Sequence, residues 1–243
     1  MAKGIKIKRS KKEKQFTKRN LCKLRHLIAK IIGGLALIAF SAPALANGNL
    51  VWQRSDKGIS ETEVMAIFVA KDRTGLAFAG TRKGIYKSID SGASWRLALM
   101  LKGERKGIYD IAYDYSEKST IYAATGDGLY SSKDEGESWK NIFKGKDINK
   151  RKVNMVTIDS RDHDILYTST QKGLFKSSDG GSSWSAIRHF LNKDIIATIT
   201  LDLGIYVCTR DNLYFSRNGS SSWERIFTDR LSRDQEIDID SQA

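Results

Sequence analysis

One eight-residue pattern recurs four times and constrains this chain more than any other feature. It reads SIDSGASW at 88–95, SKDEGESW at 132–139, SSDGGSSW at 177–184 and SRNGSSSW at 216–223. The consensus is S-x-D-x-G-x-S-W, and the fourth copy has Asn218 for Asp and Ser220 for Gly. The tryptophans stand 44, 45 and 39 residues apart. A fixed period of this size is the mark of a repeat architecture in which neighbouring units bury one another.

The unit is longer than the octapeptide. A Gly/Asn-aromatic stretch precedes each copy: 84–87, 128–131, 173–176 and 212–215. Before it stands a short apolar stretch ending in Thr81, Thr125, Thr170 or Thr209, and earlier still one ending near Asp72, Asp114, Asp159 or Asp202. A fourth stretch follows each Trp. Short alternating runs bounded by Gly and polar clusters read as strands and turns, and nothing after residue 46 has a helical period. The expected fold is therefore all-β: a β-propeller of four-stranded antiparallel blades, about 64–99, 107–143, 152–187 and 194–227.

The octapeptide is expected to hold the turn into the outer strand. An Asp carboxylate can accept backbone N–H bonds from residues about two ahead, Gly supplies positive φ, and the Ser hydroxyl adds a local bond. The Trp packs on its hairpin. Asp90, Gly92, Trp95, Asp134, Gly136, Trp139, Asp179, Gly181, Trp184, Asn218 and Trp223 are accordingly structural.

The net charge of +13 suggests a nucleic-acid binder until it is located. Residues 1–46 carry twelve Lys/Arg and one acid, Glu13, leaving a nearly neutral body of net +2. No nucleic-acid partner is expected. Residues 1–46 run from a basic stretch through the apolar run Ile31–Phe40 to Ala44-Leu45-Ala46, the order of a secretory signal cleaved near Ala46/Asn47. The apolar run is short for a bilayer span. The chain is thus expected to be periplasmic or secreted, with an uncleaved inner-membrane anchor as the other option. Cys22 lies in the leader, so Cys208 has no partner for a disulfide in the body.

The octapeptides resemble the Asp-box, or bacterial neuraminidase, repeat over about residues 50–240. Families sharing it include sialidases, sortilin-type receptors, some endoglucanases and the photosystem II assembly/stability factors. The G-[IL]-[YF]-x-S-x-D-x-G-x-S-W units look most like the last group and its bacterial relatives. This resemblance implies fold well and function poorly. The Phe/Tyr-Arg-Ile-Pro element of sialidases is absent, because the only proline is Pro43. No paired carboxylates, metal-ligand spacing or phosphate-cradling loop stands out. The expectation is a non-enzymatic scaffold without cofactor or metal. A carbohydrate-active or carbohydrate-binding propeller is the alternative.

Sorting loops by propeller face polarises the neutral body. Inter-blade loops and the turns between second and third strands sum to +8; the octapeptide face sums to −6. Arg82, Lys83, Lys102, Arg105, Lys106, Lys150, Arg151, Lys152 and Lys172 mark the basic face. An acidic protein or an anionic envelope polymer is its expected partner. Finally, Trp52 and the 235–240 stretch suggest a lone outer strand near 50–54 and a lone inner strand at 235–240. Four blades with partial ends leave three readings: a truncated or degenerate copy of a longer propeller without function, which is preferred for the ring; an irregular five-bladed ring; or an open arc that self-associates through its edges.

Overall fold

Among the described residues sixteen strands form four separate four-stranded antiparallel sheets, each built from consecutive strands in meander order. The computed structural model describes residues 54–102, 107–145, 152–219 and 222–228, all within the unit Leu37–Ala243. The leader, the lone inner strand expected at 235–240 and, but for Arg54, the lone outer strand expected near 50–54 lie outside the described residues, as do Arg105, Lys106, Lys150 and Arg151.

Blade 1 comprises β1 (Val64–Val69), β2 (Ala77–Thr81), β3 (Gly84–Ser88) and β4 (Arg96–Met100). Blade 2 comprises β5 (Ile108–Tyr113), β6 (Ile121–Thr125), β7 (Gly128–Ser132) and β8 (Lys140–Phe143). Blade 3 comprises β9 (Val153–Ile158), β10 (Leu166–Thr170), β11 (Gly173–Ser177) and the short β12 (Ser185–Ala186). Blade 4 comprises β13 (Ile195–Leu201), β14 (Gly204–Thr209), β15 (Asn212–Ser216) and β16 (Glu224–Thr228). Among the described residues the one departure from the all-strand reading is a 3-10 turn at Arg188–Phe190, which carries Phe190 into the core.

The inner strands lie side by side in the order β1, β5, β9, β13, and β13 makes no comparable contact with β1 among the described residues. Side chains tie these strands across the blade junctions. Asp110 Oδ2 accepts the Val156 N–H at 3.0 Å, Thr157 Oγ1 donates to the Thr198 carbonyl at 2.8 Å, and Thr200 Oγ1 donates to the Ile158 carbonyl at 2.8 Å. Between the blades lie apolar layers. Phe78, Tyr122 and Tyr167 occupy one register position in blades 1–3 and are 0, 4 and 1 % exposed. Each is covered by the blade that follows.

The octapeptide turns share one geometry. In the first, Ser88 Oγ accepts the Gly92 N–H and donates to Asp90 Oδ1, and Asp90 accepts the Ser94 N–H and hydroxyl. Copies two and three repeat these bonds through Asp134 and Asp179. The carboxylate therefore reaches four residues ahead, not two, because two successive left-handed residues widen the turn: Ser91 and Gly92, Glu135 and Gly136, Gly180 and Gly181. Hydrogen bonds from the Ser hydroxyl first, then from the backbone, hold all three carboxyls down to about 2. In the fourth turn Asn218 Oδ1 accepts from Ser216 Oγ, and Gly219 N–H reaches the same hydroxyl.

The tryptophans stitch blades together. Trp184 Nε1 donates to the Ile142 carbonyl of the preceding outer strand at 2.9 Å and to Gly181 at 3.1 Å. Trp95 Nε1 donates to the Ser55 carbonyl at 3.1 Å. Ser55 stands three residues after Trp52, as Ile142 stands three after Trp139. The segment before blade 1 thus takes the place of a preceding outer strand and closes the front of that blade.

Candidate functional site

The antiparallel meander sends alternate connections to opposite ends of the inner strands, and each end presents a candidate site. At one end each octapeptide turn bonds the first connection of its own blade: Ser91 N–H to Gly75, Glu135 N–H to Ser119, Gly180 N–H to Asp164. At the other end the inter-blade connections meet the turns between second and third strands, as in Leu101 N–H to Lys83 and Asn192 N–H to Lys172. There the recurrent threonine closes the turn. Thr81, Thr125 and Thr170 are wholly buried and donate to Gly84, Gly128 and Gly173.

Of the sequence-predicted basic residues, Arg82, Lys83, Lys102, Lys152 and Lys172 are described and lie at this second end, and two of them meet acids there. Arg82 pairs with Glu63 at 2.6 Å and Lys83 with Glu61 at 2.8 Å. Lys144 pairs with Asp127 at 3.2 Å. Lys102 is exposed, and Lys172 is half-buried. Lys152 sits with its ammonium 4.2 Å above the Tyr109 ring. Arg82 lies within electrostatic reach of the same tyrosine, and its guanidinium is raised first by the Glu63 hydrogen bond. Lys152 of blade 3 thus sits on Tyr109 of blade 2, with Arg82 of blade 1 within electrostatic reach of that ring. Tyr109 was not singled out by sequence reasoning. It precedes Asp110 at a register break of β5, and that irregularity is not visible in residue types.

At the octapeptide end lies a cavity of about 470 Å³ running across blades 1–4. Its aromatic wall is a cluster of Phe68, Tyr113 and Tyr115, with centroids 5.3 Å apart for the first pair and 5.1 Å for the second. Tyr115 is 45 % exposed and can stack on a planar or ring-shaped ligand. Ser116, Thr157, Ser160, Thr200 and His163 supply polar groups, and Asp114 and Asp159 also line the space.

Those two carboxylates are committed to turns. Asp114 Oδ1 accepts N–H bonds from Ser116 and Glu117, and His163 Nδ1 lies 3.6 Å away. Asp159 accepts the Arg161 N–H and is gripped by its guanidinium through both oxygens at 3.0 Å. Burial pushes the Asp159 carboxyl up, but the Arg161 bonds and charge outweigh it and hold the group below its ordinary value. It stays ionised, whereas glycoside hydrolysis needs one carboxylic acid kept protonated as proton donor. Asp110 has a raised carboxyl, pushed up to about 6 by burial against two backbone N–H bonds. It serves the junction of blades 2 and 3. Among the described residues no group of acids, histidines or cysteines could hold a metal ion. No described helix is long and apolar enough to cross a membrane.

No family model matches the chain, and no curated protein matches it. Solved structures do. An ancestral GH74 enzyme aligns with a TM-score of 0.59 and 21% identity, over 72% of this chain and 27% of that one. The GH74 xyloglucanase from Xanthomonas campestris gives 0.57 and 16%, over 72% and 33%. YCF48 bound to D1 peptide gives 0.50 and 12%, over 64% and 52%. These neighbours are β-propellers, and the fold of this chain is that of propeller blades. The chain spans a third or less of the GH74 structures and about half of the YCF48 chain. The neighbours include both glycosidases and a peptide-bound protein, so the likeness fits either reading of function.

Proposed function

We propose that this chain is an exported, non-enzymatic propeller scaffold of the Asp-box type that binds an acidic segment of a protein partner at its basic end. The observation that carries this reading is the Lys152 ammonium seated on the Tyr109 ring across the blade 2–blade 3 junction, with Arg82 of blade 1 within electrostatic reach of the same ring. A tyrosine ring flanked by cations offers stacking area and charge to a carboxylate-bearing chain. Lys83, Lys102 and Lys172 extend the same end. A solved neighbour, YCF48, is described with a bound peptide, which agrees with a peptide-binding use of the fold. The leader pattern of residues 1–46 supports export. Assisting assembly of an envelope complex is the corresponding role.

Crosslinking pull-down from an envelope fraction tests the reading, with wild type compared against Arg82→Glu/Lys152→Glu. Capture that falls with salt and is lost in the double variant supports it. Capture indifferent to both overturns it. The second reading, a carbohydrate site, is favoured by the exposed Tyr115 ring over Phe68 and Tyr113 in the opposite cavity. Binding of a soluble glucan that is lost in Tyr115→Ala would favour it instead.

A further inference from the structure

The fourth octapeptide departs from the other three in both sequence and bonding. Asn218 stands where Asp90, Asp134 and Asp179 stand, and a glycine follows it. In blades 1–3 the backbone N–H just after the aspartate is tied to the first connection of its own blade: Ser91 to Gly75, Glu135 to Ser119 and Gly180 to Asp164. In blade 4 the corresponding Gly219 N–H turns to the Ser216 hydroxyl, with 3.0 Å between nitrogen and oxygen. The same hydroxyl donates to Asn218 Oδ1 at 2.9 Å. One oxygen therefore holds both the proton of the following backbone nitrogen and the carbonyl oxygen of the side-chain amide.

Those are the two groups that an amide cyclisation joins. A backbone nitrogen becomes a nucleophile as its proton leaves, and a carbonyl becomes a better electrophile as its oxygen is hydrogen-bonded. Ser216 Oγ serves both ends at once. Gly219 sits at φ +68°, where a Cβ would lie 2.5 Å from Tyr167 Oη, so the turn takes glycine and leaves the nitrogen unhindered. Asn218 is exposed, so water reaches its side chain. In the first three turns the same hydroxyl meets a carboxyl held down to about 2, and the ionised group resists a nucleophile. Asp179 is also followed by glycine, but its charge and the Gly180 bond to Asp164 both oppose the reaction.

We infer that Asn218 is a self-modification site, at which the folded chain converts its own amide to a carboxylate with Ser216 as the positioning residue. The Gly219 nitrogen bonds to Asn218 Cγ, its proton passes to Ser216 Oγ, and the Ser216 proton passes to Oδ1. The bond from Cγ to Nδ2 then breaks, and the proton on Oδ1 leaves with that nitrogen as ammonia. Water opens the five-membered imide at either carbonyl, giving an aspartate at 218 or its β-linked isomer. No oxidant or reductant is involved. The normally linked product gives blade 4 the carboxylate of the other three turns, and either product adds a negative charge to the octapeptide end.

Peptide mass spectrometry tests the inference. The full chain is held at pH 8, native or unfolded in urea, and the tryptic fragment 218–225 is followed for the shift from amide to carboxylate. The native chain converts at least as fast as the unfolded one. Ser216→Ala slows the native conversion several-fold and leaves the unfolded rate unchanged, and Ser216→Thr, which keeps the hydroxyl, restores it. A native chain that keeps its amide, or converts more slowly than the unfolded one, overturns the inference. So does a Ser216→Ala variant that folds by circular dichroism and converts at the wild-type rate.

Discussion

Replacing Asp110 by Asn should stabilise the fold at pH 8 and leave it unchanged near pH 4. Asp110 is the inner-strand residue whose carboxylate accepts the Val156 N–H across the blade 2–blade 3 junction. Burial there pushes its carboxyl from the ordinary 3.8 to about 6. Because the folded value lies above the unfolded one, the folded chain holds this proton more tightly. The stability it contributes is complete below about pH 4 and is lost as pH rises through about 6. That rise corresponds to about 3 kcal/mol, and the partial exposure of the residue lowers the expected gain to about 1–2 kcal/mol. Asparagine keeps an oxygen for the Val156 N–H while removing the charge. Urea unfolding at pH 4, 5, 6 and 8 measures the difference, in which other titrations cancel. An Asn variant that is no more stable at pH 8, or equally stabilised at both ends of the range, refutes the reasoning.

Three further comparisons follow from the packing. A Cβ on Gly136 would lie 2.8 Å from the fully buried Phe78 ring at φ +86°, so Gly136→Ala should cost about 1–3 kcal/mol in urea unfolding. Gly180→Ser should cost less, since the nearest atom is 3.5 Å away and Ser91 already occupies the equivalent place. Glu137→Ala strands the Lys87 ammonium, whose side chain is 5 % exposed, and should destabilise by about 1–3 kcal/mol. Glu63→Ala breaks an exposed pair and should change stability by less than about 1 kcal/mol. Trp184→Phe removes two indole hydrogen bonds, whereas the buried Trp223 Nε1 has no partner among the described residues. The Trp184 variant should therefore lose about 1 kcal/mol more than Trp223→Phe in the same assay.

The repeat made the blades legible because each is specified locally. A turn, its Gly and its Trp lie within eight residues, and strand alternation fixes the rest. The Ser55 bond to Trp95 was foreshadowed by Trp52, one repeat ahead of Trp95. What the pattern hid is everything assembled across blades. Phe68, Tyr115 and His163 come from three different units and meet only when the inner strands converge. Net charge marked the basic end but not its pairing of Arg82 with Glu63 and Lys83 with Glu61, which depends on how each connection folds over its neighbour. The reach of the octapeptide carboxylate was placed two residues too short, because Ser91 and Glu135 take up left-handed φ without being glycine.

The central claim is that the octapeptides build the scaffold while the basic end binds. Association of a crosslink-identified partner, followed by titration at 50, 150 and 400 mM salt, tests it most directly on three proteins: wild type, Arg82→Glu/Lys152→Glu and Asp134→Asn. Binding that weakens with salt, disappears in the charge-reversed variant and survives in the folded Asp134→Asn variant is the predicted result. Binding that ignores salt and charge reversal, or that is lost with Asp134→Asn while the fold persists, contradicts it.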